Sequence, residues 1–364
     1  MSKNKNLADI PEAFEVWFIM IRACVAIGFS IYGLYLRALC YANRDWSIDE
    51  VTQYQAALGP LKSFWQRLPS GEVTCFPGDY LLTYPFVHIF EPNKWGVVIP
   101  HIMATILGFY FLYLICRRYL KSTWATAMAF LIYALNSELI FHAFELRPYP
   151  VLASLGLMVF YCTETIVCSK YNSSLFKKIG IGFLFFWTIL YHTYGIVIVG
   201  FCALFSILKE RSNASWPALF KRILPFYVIV GIFSFPPWLW YASYNAGPDI
   251  TSSPTFEYIP NPLVNTLGFL KGVLGNLLSP RFLHPLVAGP ILAFLIPQPS
   301  RIKYIGFWLT LIVLPISLLC ALDASLHYWF IQRQFIWVIS LFSFFVAWGW
   351  ESVILGLRTK LLNK

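Results

Sequence analysis

Several apolar runs in this chain are longer than the core of a soluble domain requires. The first extends from about Trp17 to Cys40, and a run of roughly 20 apolar residues is long enough for an α-helix to cross a bilayer. Hydrophobic residues make up 58% of the sequence and charged residues only 12%, whereas a typical soluble domain has roughly 25% charged residues. The sequence therefore predicts an integral membrane protein that crosses the bilayer several times.

The apolar runs predict about ten transmembrane helices. The region 179–208 is too long for one helix, has basic residues at both ends and contains the segment YHTYG, so we predict a hairpin of two helices there. The single spans are predicted at about 17–40, 95–116, 122–144, 149–168, 223–241, 285–296, 304–321 and 334–357. The predicted fold class is all-α, with one transmembrane domain over residues 1–364.

The basic segments of the chain predict its orientation. RRYLK, SKYNSSLFKK, LKER, SRIK and RTKLLNK all fall on one side of the bilayer if both termini are cytoplasmic. Lys and Arg concentrate in cytoplasmic loops, so this rule, and not binding to nucleic acid, explains the net charge of +10. The opposite, outer side then carries a first loop at about 41–94 and a long loop at about 242–284, both expected to contain short amphipathic helices.

Two adjacent acids follow the first predicted span, in the segment WSIDEV. Ser47 and Glu50 have the spacing of a capping box, so Glu50 either caps a short helix or takes part in catalysis. Asp49 is harder to explain as a cap, although an acid in the first turn also complements the helix dipole. Both carboxylates are therefore candidate catalytic residues.

A second polar cluster lies near the outer end of the third predicted span. Glu138, His142 and Glu145 are spaced by four and then three residues, which places them on one face of a helix. Ionisable groups within a span are usually paired and functional, although a Glu138–His142 pair that only locks helices together is the structural alternative. Arg147 follows in ELRPYP, where a guanidinium group can bind a phosphate through two hydrogen bonds or pair with Glu145. No metal-ligand spacing is present among these residues.

Further polar residues lie in the other outer segments. His192, in YHTYG, is a candidate for contact with a sugar or phosphate, or a simple helix cap. An aromatic belt explains the rings of HYWFIQRQFIW well, and it explains Arg333 within that segment less well. Lys271 and Arg281 are additional cations in the long loop.

Five segments, in order along nearly the whole chain, resemble motifs of the GT-C glycosyltransferases. The resemblance is to the family-39-like members, which include protein O-mannosyltransferases and the aminoarabinose transferases of lipid A. The segments are WSIDEV, CFPGDYLLTYPFVHIF, FELRPYP, YHTYG and IQRQFIWVIS. Two departures are Gly78-Asp79 in place of the usual Pro-Leu and Gln334 where a tyrosine is usual.

The resemblance implies transfer of a sugar, with inversion, from a polyprenyl-phosphate donor to a lipid, glycan or protein acceptor at the non-cytoplasmic face. It implies Asp49 as the general base, with Glu50 beside it. The expected cations for the donor phosphate are Arg147, Arg333, Arg281 and Lys271. The expected substrate contacts are Asp79, Glu138, His142, Glu145, Tyr149, His192 and Tyr194. No cofactor is expected, a divalent metal is not favoured, and the compact form predicts a bacterial inner membrane with the site facing the periplasm or exterior.

Two other functions are consistent with the sequence. A flippase or other transporter of lipid-linked sugars would line a path through the bilayer with charged residues instead of gathering them on one face. A membrane scaffold would carry out no chemistry. The enzyme hypothesis requires that Asp49, Arg147 and Arg333 meet at one outer cavity.

Overall fold

The computed structural model describes residues 12–67, 77–168, 174–192, 194–211, 213–245, 271–295, 301–326 and 332–362. All regular structure in these ranges is helical. The first half contains α1 (Glu12–Ala42), α2 (Ile48–Leu58), α3 (Leu61–Arg67), α4 (Pro77–Phe90), α5 (Lys94–Val97), α6 (Ile99–Tyr119), α7 (Thr123–Leu135), α8 (Ser137–Phe141) and α9 (Tyr149–Val167). The second half contains α10 (Leu175–Tyr191), α11 (Gly195–Glu210), α12 (Trp216–Asn245), α13 (Lys271–Leu277), α14 (Ala288–Leu295), α15 (Arg301–Trp308), α16 (Leu314–Leu326) and α17 (Ile336–Leu362). The predicted all-α fold class is confirmed for the described residues.

Three shorter elements connect helices in the second half. Arg281–Val287 forms a 3-10 helix that leads into α14, and Gln332–Phe335 forms another that leads into α17. A π-helical turn at Leu309–Val313 joins α15 to α16. The π-helical turn therefore makes α15 and α16 one nearly continuous helical segment. The 3-10 helix Gln332–Phe335 places Arg333 just before the last long helix.

Six helical stretches are long and apolar enough to cross a membrane, at Val16–Ala42, Ile99–Tyr119, Tyr149–Val167, Trp216–Trp240, Ile302–Leu319 and Ile336–Thr359. Lys271–Leu277 and Arg281–Leu295 pass the same test as a pair, with an 89° bend between them. The chain is therefore a multi-pass membrane protein. Within the described ranges, these six or seven stretches are fewer than the predicted ten, because α7, α10 and α11 have only 13, 17 and 16 residues.

The helix predicted over 122–144 is broken at Asn136, which corrects its boundaries. Asn136 has an extended backbone conformation, and its side chain accepts hydrogen bonds from the amides of Glu138 and Leu139 at 3.1 Å. These bonds begin α8, so α7 ends at Leu135. Glu138 and His142 consequently lie on and just after a separate short helix, not in the outer turns of a continuous span.

The predicted hairpin over residues 179–208 is confirmed as two helices, α10 and α11. The break falls within YHTYG, since α10 ends at Tyr191 and α11 begins at Gly195. A Cβ atom at Gly195 would lie 1.9 Å from the carbonyl oxygen of Thr188. Only glycine therefore permits this close approach of the two helices at the turn.

The centre of the bundle is formed by α9 and α17. In each of them 83% of the apolar stretch is buried, against 17% in α1 and 22% in α12. The two peripheral helices thus have apolar surface left for contact with lipid. At the centre α9 and α17 approach closely, since a Cβ atom at Gly156 would lie 2.9 Å from that of Trp337.

The predicted first outer loop contains four short helices, α2 to α5, in its described part. Tyr41, Phe64, Tyr80 and Phe144 belong to a hydrophobic cluster that packs these helices against the segment after α8. Most of the predicted long loop, residues 246–270, lies outside the described residues. The first loop therefore has a packed position next to the segment that contains Arg147.

Candidate functional site

The start of α2 fixes the positions of the two adjacent acids. Ser47 is the N-cap: its hydroxyl accepts the amide of Glu50 at 3.3 Å, and the Glu50 carboxylate accepts the amide of Ser47 at 2.9 Å. This reciprocal pair is the predicted capping box. Since consecutive residues of a helix point about 100° apart, Glu50 faces the protein while Asp49 is directed elsewhere.

Asp49 contacts two arginines from distant parts of the sequence. Its Oδ2 atom accepts a hydrogen bond from Arg333 Nη2 at 2.8 Å and lies 3.7 Å from Arg147 Nη2. The Asp49 side chain is 41% exposed, whereas those of Arg147 and Arg333 are 7% and 22% exposed. The structure thus brings together the three residues that the enzyme hypothesis required to meet, and it leaves the carboxylate accessible. We call these three residues the Asp49 cluster.

A row of charged side chains extends from the Asp49 cluster toward α8. Glu145 Oε1 lies 3.7 Å from Arg333 Nη1, and Glu145 Oε2 lies 2.5 Å from His142 Nδ1. His142 Nε2 lies 3.6 Å from Glu138 Oε2. The nearer partner of His142 is therefore Glu145, and not Glu138 as the structural alternative assumed.

Tyr149 supports Arg333 from another direction. The guanidinium carbon of Arg333 lies 4.8 Å from the centroid of the Tyr149 ring, a distance typical of a cation–π contact. Glu145 and Tyr149 thus hold Arg333 on the sides that Asp49 does not occupy. Chemically, the cluster offers a carboxylate oxygen that can accept a proton and guanidinium groups that can bind a phosphate.

Glu50 is fully buried, and the structure assigns it to supporting the fold, not to catalysis. Arg44 donates to its two oxygens at 2.5 and 2.8 Å, and the amide of Leu146 donates at 2.9 Å. Burial raises the pKa of Glu50, but the hydrogen bonds from Arg44 and from the Ser47 and Leu146 amides outweigh it and hold the pKa below its usual value. The predicted catalytic role for Glu50 is therefore corrected, because the side chain has no surface with which to contact a substrate.

Asp79 is also fully buried, which corrects its predicted contact with substrate. Its carboxylate accepts hydrogen bonds from Gln53 Nε2 at 2.5 Å and from the Tyr191 hydroxyl, and it lies 3.2 Å from His101 Nε2. These partners connect α2, α4, α6 and α10. Gln53 lies one helical turn after Asp49 on α2, so the bond to Asp79 fixes the rotation of the helix that carries Asp49.

The sequence interpretation missed Gln53, His101 and Tyr191. A signal was present, because Asp79 and His101 each lie in apolar surroundings and a buried charge needs partners. The sequence could not identify those partners, since Tyr191 is 112 residues from Asp79. The group is recognisable only once the helices are packed.

We expect Asp79→Asn to lower the free energy of unfolding by about 2 kcal/mol, because it replaces one accepting oxygen with an NH2 group that faces side chains that also donate. The measurement is the thermal unfolding midpoint of the purified protein in detergent. Asp45→Asn is the matched control, since Asp45 is exposed four residues before Asp49. Equal midpoints for the two variants would show that the buried group does not stabilise the fold.

His192 and Tyr194 lie in the α10–α11 turn, beside the Asp49 cluster. His192 is buried, and its Nδ1 atom accepts the amide of Tyr194 at 3.1 Å, which is the predicted capping alternative. His192 is also close enough to Arg147 for their charges to interact. The Tyr194 ring lies 6.5 Å from that of Phe335, in the 3-10 helix that carries Arg333. Because both side chains are buried behind the cluster, the structure does not bring them to a surface where a substrate could bind.

Lys271 and Arg281 are exposed. Within the described ranges no ion pair joins either of them to Asp49 or Glu145, so their part in binding the donor phosphate stays a prediction. Among the residues that the structure describes, no group of three or more His, Cys, Asp or Glu side chains is placed to hold a metal ion. Comparison of the chain with protein-family models, curated proteins and solved structures gives no match.

Proposed function

We propose that this protein is a membrane glycosyltransferase of the GT-C type that uses a polyprenyl-phosphate sugar as donor and works at the non-cytoplasmic face. The observation that carries the proposal is the contact of the accessible Asp49 carboxylate with Arg147 and Arg333. Both a base and a phosphate-binding group are needed within a few ångströms of the bond that reacts. These three side chains supply that pair of functions.

In the proposed reaction Asp49 takes the proton from an acceptor hydroxyl or amine. The acceptor atom attacks the anomeric carbon of the sugar as the bond from that carbon to the phosphate oxygen breaks. The leaving phosphate keeps the electron pair and gains negative charge, which Arg147 and Arg333 stabilise. Because the acceptor attacks opposite to the leaving group in a single step, the configuration at the sugar carbon is inverted.

Arg333 can change partners when the donor binds. A guanidinium group has five N–H donors in a planar fork, and here single contacts to Asp49 and Glu145 use only part of them. A donor phosphate would compete with Asp49 for the same face of the guanidinium. The bound phosphate would then release Asp49 from Arg333. Binding of the donor would in this way free the carboxylate to accept a proton.

The proposed topology has about ten spans, with α7, α10 and α11 as short ones, and both termini cytoplasmic. It is supported by the polarity of α6, where His101 contacts Asp79 and Arg117 lies 16 residues later, about 24 Å along the axis. The basic end would face the cytoplasm, and the end with Asp49 would face the periplasm or exterior of a bacterial inner membrane. The convergence of Asp49, Arg147 and Arg333 at one end favours an enzyme over a transporter, whose charged residues would line a path through the bilayer.

The test is a transfer assay on the purified protein in liposomes. A panel of polyprenyl-phosphate hexoses and pentoses is supplied with lipid, glycan and peptide acceptors, and the release of polyprenyl phosphate is measured. The proposal expects release together with a glycosylated acceptor. Movement of an intact lipid-linked sugar across the bilayer, with no release from any donor, would favour the transporter and refute the proposal.

Arg333→Gln is expected to lower kcat/KM for the donor by about 10²-fold, because a positive charge is removed from the leaving phosphate. The control is Arg358→Gln, which removes an exposed arginine near the other end of α17. Arg333→Lys should recover part of the loss, since it restores the charge without the planar fork. An unchanged kcat/KM in Arg333→Gln would exclude this arginine from phosphate binding.

A further inference from the structure

A cavity of about 850 Å³ lies between α10 and α12, and it extends along α10 from the N-terminal residue Leu175 to Phe186. Its walls are mainly apolar, with Ile179, Phe183 and Phe186 from α10 and Phe226, Ile229 and Phe233 from α12. Several of these side chains remain open to the surroundings, since Phe183 is 64% and Phe233 67% exposed. In a membrane protein such a surface is in contact with lipid chains.

Two cations, Lys178 and Arg222, line the same cavity. Arg222 donates to the carbonyl oxygen of Val167 and lies 3.6 Å from Glu210, but its side chain is still 32% exposed. Lys178 is exposed, and its side chain makes no hydrogen bond or ion pair with a described residue. The only acid paired with either cation within the described ranges is therefore Glu210, which leaves a net positive charge at this end of an apolar cavity.

The cationic end of the cavity is far from the Asp49 cluster. Lys178 and Tyr191 are 13 residues apart on α10, which corresponds to about 20 Å along the helix axis. Tyr191 is the residue that contacts Asp79 behind the cluster. The two cations thus lie near the opposite end of the bundle, where the basic segments predict the cytoplasmic surface.

We propose that this cavity is a binding site for an anionic phospholipid. Its phosphate would lie between Lys178 and Arg222, and its acyl chains would lie along Phe183 and Phe226. Basic pockets between transmembrane helices on the cytoplasmic side favour anionic head groups. A polyprenyl phosphate has similar chemistry, but the two cations that would bind its phosphate are remote from the Asp49 cluster, which favours a membrane phospholipid as the occupant. The site does not depend on the proposed transferase activity.

The experiment measures lipid binding by native mass spectrometry and by the thermal unfolding midpoint of the full chain in detergent. The probes are phosphatidylglycerol, phosphatidylcholine and an undecorated polyprenyl phosphate. We expect phosphatidylglycerol to bind more tightly than phosphatidylcholine and to raise the midpoint more. Lys178→Gln should weaken phosphatidylglycerol binding about fivefold, the effect of one cation near an anionic head group.

Two further variants test whether the space in the cavity is needed for binding and whether loss of any exposed lysine has the same effect. Gly182→Leu should narrow the cavity, since a Cβ atom there would lie at an ordinary contact distance of 3.5 Å from Phe226, and it should also weaken phosphatidylglycerol binding. Lys303→Gln, which removes an exposed lysine from α15, is the matched control and should bind as the wild type does. Equal affinity for the two phospholipids, full binding by Lys178→Gln, or binding by polyprenyl phosphate alone would overturn the proposal.

Discussion

Asp49→Asn is expected to reduce the rate of sugar transfer by about 10³-fold, within the range that general-base catalysis contributes. The asparagine side chain keeps the shape of the aspartate and can still accept a hydrogen bond from Arg333, but it cannot take a proton from the acceptor. The Asp49 side chain is 41% exposed, so its ion pairs contribute little to stability and the unfolding midpoint should change only slightly. The measurement is kcat for release of polyprenyl phosphate, together with that midpoint.

The matched control for this variant is Asp45→Asn, which makes the same chemical change four residues earlier. Asp45 is exposed, and in the described ranges no side-chain ion pair involves it. Its substitution should leave kcat unchanged. Retained turnover in Asp49→Asn would remove the assigned base, and an equal loss in both variants would point to a general effect of charge in this loop.

The helices were predictable because their signals are local. Apolar runs of roughly 20 residues predicted α1, α6, α9 and α17, and the polar segment YHTYG correctly predicted the break between α10 and α11. The break at Asn136 was missed although its signal was also local, since Asn followed by Ser and Glu is typical of a helix start. Hydrophobicity outweighed the capping pattern in the sequence interpretation.

The site was predictable only in part, because burial depends on the packed structure. The sequence indicated Asp49, Arg147 and Arg333 through segments that resemble one family, and the structure brings these three together. The sequence could not distinguish the accessible Asp49 from the buried Glu50 and Asp79, since the identity of an acidic residue does not show whether it is buried. The partners of the buried acids come from distant helices, so no spacing in the sequence predicts them.

The two adjacent acids, Asp49 and Glu50, consequently have different roles. Substitution of Glu50 is expected to have its main effect on the free energy of unfolding. Glu50→Gln should lower the free energy of unfolding by about 3 kcal/mol at neutral pH, because it removes the buried carboxylate that pairs with the largely buried guanidinium of Arg44 and accepts the amide of Leu146. The Arg44 side chain is only 15% exposed, and that of Glu50 is fully buried. The measurement is chemical or thermal unfolding of the purified protein. Glu91→Gln is the control, since Glu91 is an exposed acid of the same outer loop.

The same substitution should affect activity less than Asp49→Asn does. Glu50 binds the amide of Leu146, which precedes Arg147 in the chain. Loss of the carboxylate would loosen the position of Arg147 relative to Asp49 but would leave the base itself in place. We therefore expect a partial loss of kcat/KM in molecules that remain folded, and a loss as large as that of Asp49→Asn would contradict this division of roles.

The stability difference between the wild type and Glu50→Gln should depend on pH with a definite sign. The folded-state pKa of Glu50 lies below the unfolded value, so its contribution is fully present above that unfolded value and disappears as the pH falls through the folded one. The unfolding midpoints of the two proteins should therefore converge in acid and differ by a constant amount near neutrality. A difference that stays constant into strong acid would mean that the ionised carboxylate does not hold α2 against the segment that contains Arg147.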